Sequence, residues 1–170
     1  MKGDLHTLKR ICEYASKVML GGEAVLAVVL VATVALAVTS VFSDGAVSLL
    51  HDLMGLSKPV DTASVCALLQ ILVILGMALF TVWNIYSLMI SIMREHSPFN
   101  GPNTDALILL SKVYLVCSVV LAVLSALSGA GLVGTLFMFF GCILIAVVLY
   151  CFGLVVRYGA VLQDESDHTL

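Results

Sequence analysis

"KVYLVCSVVLAVLSALSGAGLVGTLFMFFGCILIAVVLYCFGLVVR", Lys112 to Arg157, encloses 44 residues without a charged side chain. As one helix they would run to about 66 Å, roughly twice the hydrocarbon thickness of a bilayer. The block therefore reads as two spans, folded back at "SGAG" (Ser128 to Gly131), where small residues and two glycines let the chain reverse. Antiparallel helices are expected over about 106–127 and 132–156.

Working outward, charge is also missing between Glu23 and Asp44 and between Asp61 and Arg94, and each gap exceeds the roughly 18 residues that suggest a span. Two more spans follow, at about 24–42 and 64–93. The second of them, roughly 45 Å long as a helix, should tilt or protrude. The small-residue end "ALAVTS" of the first resembles a signal-peptide cleavage site, but the long stretch before its apolar run favours a retained helix. Of the 170 residues, 61% are hydrophobic and 11% charged, far from the globular norm of about 45–50% and 25%. The expectation is an all-α integral membrane protein, one domain over 1–170, with four transmembrane helices in one bundle. Too little chain remains for a separate soluble domain.

Lys2, Lys9, Arg10, Lys17, Arg94, Lys112 and Arg157 all fall on one side of these spans and only Lys58 on the other. By the positive-inside rule both termini are then cytoplasmic. The same orientation puts Trp83, Tyr86, Tyr114, Tyr150 and Tyr158 near the cytoplasmic interface, where amphipathic rings prefer to sit. On the outer side, "SDGAVSLLHDLMGLSKPVD" (Ser43 to Asp61) has Val47, Leu50 and Met54 at helical spacing and predicts a short interfacial helix. Inside, Leu8, Ile11, Cys12, Ala15 and Met19 form an apolar stripe leading into the first span.

Ionisable residues at bilayer depth usually mark pumps and membrane enzymes, and the deep positions of the four spans hold none. His6, His51, His96 and His168 lie in loops or tails, and the five cysteines form no metal or redox cluster, so neither a cofactor nor an enzymatic activity is expected. Gln70 and Asn84 are the most polar side chains of the second span, suited to interhelical hydrogen bonds or, alternatively, to a polar permeation path. Ser118, Ala122, Ala126 and Ala130, at intervals of four, predict a close helix approach.

Two cytoplasmic segments carry sharper patterns. In "REHSPFNGPNTDALILL" (Arg94 to Leu110) two prolines disfavour helix over 96–102, so that Asn103 or Thr104 would cap the third span and Asp105 would sit in its first turn. In "RYGAVLQDESDHTL" (Arg157 to Leu170) Arg157 and Gly159 resemble a helix stop, leaving an acidic tail over 159–170 that an anionic leaflet would repel. That tail would be held by the amino-terminal lysines and arginine, stay solvated, or dock on another protein.

These segments resemble small bacterial membrane proteins catalogued as domain of unknown function 2975. Pro98, Phe99 and Asn103 match that family's loop pattern, and Gly159, Leu162, Gln163, Glu165, Asp167 and Thr169 its ending. The chain departs from the family at Thr104-Asp105-Ala106, where basic residues are usual, and at His168. Members are often encoded beside a very small helix-turn-helix regulator. The resemblance thus implies a protein of the bacterial inner membrane that binds or sequesters such a basic DNA-binding protein through its loop and tail, without contacting nucleic acid itself. The alternative expectation is a small permease or an immunity protein against a membrane-active peptide or drug, using Gln70 and Asn84.

Overall fold

The structure, a computed structural model, describes residues 2–40, 48, 52, 62–95, 99 and 101–168. Four helices account for nearly all of them: α1 (Lys2–Ser40), α2 (Thr62–Glu95), α3 (Gly101–Leu127) and α4 (Gly131–His168). Each contains a segment long and apolar enough to cross a membrane, namely Glu13–Thr39, Thr62–Arg94, Gly101–Leu127 and Gly131–Gln163. The expected interfacial helix over Ser43 to Asp61 lies outside the described residues except at Ser48 and Asp52.

The reversal at "SGAG" is a Schellman cap. Gly129 takes a φ of 81°, which lets its own amide reach Ala126 O at 3.4 Å and the Ala130 amide reach Ser125 O at 3.2 Å. These bonds satisfy carbonyls that the end of α3 would otherwise leave open. Gly131 follows with a φ of 73° and starts α4, so α3 and α4 run antiparallel from a turn of three residues.

Their seam does not follow the small-residue stripe at intervals of four. The buried hydroxyls of α3 are Thr104, Ser111, Ser118 and Ser125, seven residues apart, and on α4 the buried Ala146 and Gly153 keep the same interval. A step of seven drifts only about 20° around a helix, so the side chains stay on one face. A step of four drifts about 40° each time, and the stripe winds away from its partner. Ala126 and Ala130 accordingly end up exposed. Small side chains let the helices close tightly: a Cβ added at Gly153 would lie 3.0 Å from Ile108 Cγ1. The inward hydroxyls need no further partners to be tolerated, since Ser111 Oγ donates to Ile108 O at 2.8 Å and Ser118 Oγ to Leu115 O at 2.7 Å.

Polar interior and apolar exterior invert the order of a water-soluble protein. The buried set is rich in Ser, Thr and Asn, while Val28, Val116, Val133, Phe137 and Val155 face outward. Surrounded by lipid, where apolar burial gives helices no reason to associate, close backbone approach and hydrogen bonds hold the assembly instead. Thr81 Oγ1 and Tyr114 OH, 3.0 Å apart, join α2 to α3 in this way.

The four helices do not close into a single bundle as expected. Among the described residues α1 packs on α2 alone, α2 lies between α1 and α3, and α3 lies between α2 and α4. Along α1 the less exposed positions include Ser16, Met19, Glu23, Leu26, Leu30, Thr33 and Ala37, alternating three and four apart like the core of a coiled coil.

Candidate functional site

The two segments singled out by sequence meet at one end of the α3–α4 hairpin. Phe99, in the link between α2 and α3, lays its ring on Gly159 of α4. A Cβ at Gly159 would stand 2.6 Å from Phe99 Cε1 and 3.0 Å from Cγ, with Cδ1 closer still. Glycine serves here beneath a ring and not in a turn, because a side chain at this position would have to push Phe99 aside. The expected helix stop at Gly159 is therefore corrected: α4 runs on through it to His168. Ala160, Leu162, Gln163 and Glu165 are good helix formers, and together they outweigh acids placed unfavourably at a carboxyl end.

The start of α3 also differs from expectation. The helix begins at Gly101, so Pro102 falls in its first turn, where a fixed φ suits the helix and the missing amide costs nothing. Asn103 and Thr104 are then helical residues at 5% exposure each, not caps. Asp105 falls beyond the first turn and is exposed.

Of the residues matched to the family pattern, Phe99, Asn103 and Gly159 come together at this end of the hairpin. Leu162 and Gln163, one turn on from Gly159, are exposed and lie within about 60° of it around the helix. Glu165 is exposed too, but points about 120° away. Asp167 lies on α4, while Pro98 and Thr169 fall outside the described residues. The tail is thus a helix that splays its polar groups over more than one face.

Gln70 and Asn84 are not brought together. They sit about 21 Å apart along α2, and each is engaged: Ser128 Oγ, in the α3–α4 turn, donates to Gln70 Oε1 at 3.4 Å, whereas Asn84 Nδ2 donates within its own helix to Phe80 O at 2.7 Å. Among the described residues no group of three or more His, Cys, Asp or Glu could hold a metal ion. Cys66, Cys117, Cys142 and Cys151 are free thiols.

Sequence reasoning missed Glu23. Taken only as the last charge before the first span, it lies on the α1 face that packs against α2, and its Oε2 is buried without a hydrogen-bond partner. The signal was present in the spacing, since Ser16, Glu23 and Leu30 recur every seven residues along that face. Compared with known proteins, the chain matches no family model, no curated protein and no solved structure.

Proposed function

We propose that this chain is a non-enzymatic, four-span protein of the bacterial inner membrane, with both termini in the cytoplasm, that binds a small basic helix-turn-helix regulator at its cytoplasmic end. The observation that carries this role is the contact of Phe99 with Gly159, which ties the α2–α3 link to a helix that continues roughly 16 Å past Arg157. A flexible acidic tail would have to be ordered on binding, at a cost in entropy. A helix anchored at its base presents Leu162 and Glu165 already in place. Acidic groups on such a post suit the cationic residues that a DNA-binding protein uses on phosphates, so binding here would compete with binding DNA.

Deleting Gln163 to Leu170 is expected to abolish co-purification of a small helix-turn-helix protein from gently solubilised native membranes, and to change expression of that regulator's target genes. Unchanged binding together with unchanged expression would sink the role. The permease alternative has no comparable support, because Gln70 and Asn84 are far apart and each is engaged by its own neighbours.

A further inference from the structure

Just below Phe99 the α3–α4 hairpin opens into a groove of about 450 Å³, set between Gly101, Thr104, Asp105 and Ile108 of α3 and Arg157 and Val161 of α4. It holds one acid and one base. Both are exposed, and among the described residues no ion pair joins them. The amino-terminal end of α3 opens onto the same groove and adds its partial positive charge to that of Arg157. On the far side of Arg157 lies a mainly apolar hollow formed by Leu154, Val155, Tyr158 and Val161. The guanidinium thus stands between a polar recess and a greasy one.

Depth narrows the ligand. Arg157 follows the start of α4 by about 39 Å of helix and Asp105 precedes the end of α3 by about 33 Å, whereas the hydrocarbon core is about 30 Å thick. With the α3–α4 turn at the opposite surface, the two charges reach the level of the lipid headgroups. The two opposite charges line one groove without pairing with each other, and so complement a ligand that is itself zwitterionic.

We propose that this groove binds one phospholipid with a primary-amine headgroup: phosphate against Arg157 and the start of α3, ammonium against Asp105, and an acyl chain along Leu154 and Val155. The proposal rests on the membrane placement given above. A choline headgroup has no N–H to donate to Asp105, and a glycerol headgroup offers it no cation, so the acid selects among lipids that share the same phosphate.

The test is native mass spectrometry of the full-length chain ejected from nanodiscs containing equal parts of phosphatidylethanolamine, phosphatidylcholine and phosphatidylglycerol with identical acyl chains. Retained lipid should be enriched in phosphatidylethanolamine by about tenfold, the ratio expected from one charge-assisted hydrogen bond. Asp105→Asn should remove that preference, and Arg157→Gln should lower retention of all three lipids. Val161→Trp, which fills the groove without touching its charges, should displace the lipid as well. Equal retention of the three lipids overturns the proposal, and so does a preference for phosphatidylglycerol that survives Asp105→Asn. Displacement by soluble glycerophosphoethanolamine at concentrations comparable to the lipid would also overturn it, by making the ligand a free phosphate ester. If the headgroup preference holds while the regulator fails to co-purify, the lipid site stands and the regulator-binding role alone falls.

Discussion

Gly159 shows how one residue type can satisfy two incompatible demands on paper. With Arg157 just before it and acids just after, it fits a left-handed helix cap, yet in the structure it is a helical residue beneath a phenyl ring. The two roles respond oppositely to a methyl group. With Phe99 replaced by Ala, Gly159→Ala should stabilise the protein by about 1 kcal/mol, the helix-propensity gain of alanine. With Phe99 present, the added Cβ must push the ring aside, a clash of the kind that costs about 1–3 kcal/mol. A double-mutant cycle by thermal unfolding in detergent should therefore return a coupling above about 1 kcal/mol. A value near zero would mean that the ring does not rest on α4. No local signal in the sequence announces this contact, because Phe99 precedes α3 while Gly159 lies well along α4, and the two meet only after these helices have paired.

At the level of the helix, the outcome turned on a period. The four spans and the reversal between α3 and α4 were legible because a run of 44 uncharged residues is too long for one crossing and carries glycines at its middle. Which face of α3 packs was not, since Ser118 belongs both to a stripe at intervals of four and to one at intervals of seven. Only the second keeps its bearing over four turns. Substitutions separate the two: Ser118→Leu, at 1% exposure, should cost about 1–3 kcal/mol by overpacking the seam, while Ala126→Leu should stay within about 0.5 kcal/mol. Resistance of the two variants to unfolding in mixed detergent micelles would check this, and a larger loss at Ala126 would restore the first stripe. The candidate site was half legible for a related reason. Loop and tail could each be picked out by composition, but the balance between good helix formers and unfavourable acids in the tail, and the ring that rests on Gly159, could not be read from either segment alone.

For the whole molecule, three helices exceed what a bilayer requires: α1, α2 and α4 are each more than 30 residues long, and α4 carries its surplus past Arg157, at the end of the hairpin away from the α3–α4 turn. With that end in the cytoplasm, alkaline phosphatase fused after Leu170 should be inactive and the same enzyme inserted beside Lys58 active. The reverse pattern would invert the proposed topology and place the Phe99 surface out of reach of any cytoplasmic regulator.

Because α1 to α4 pack in chain order, every helix–helix seam among the described residues joins elements adjacent in sequence. In kinetic terms the molecule resembles a repeat array more than a closed bundle, with each helix finding its partner among those already made. Contacts of short sequence separation form quickly, since little loop entropy is lost in closing them. Assembly can therefore keep pace with insertion: α2 docks on α1, α3 on α2, and α4 comes last. The platform of Phe99 and Gly159 is then completed only when the final helix has arrived, which makes it a mark of a fully assembled chain.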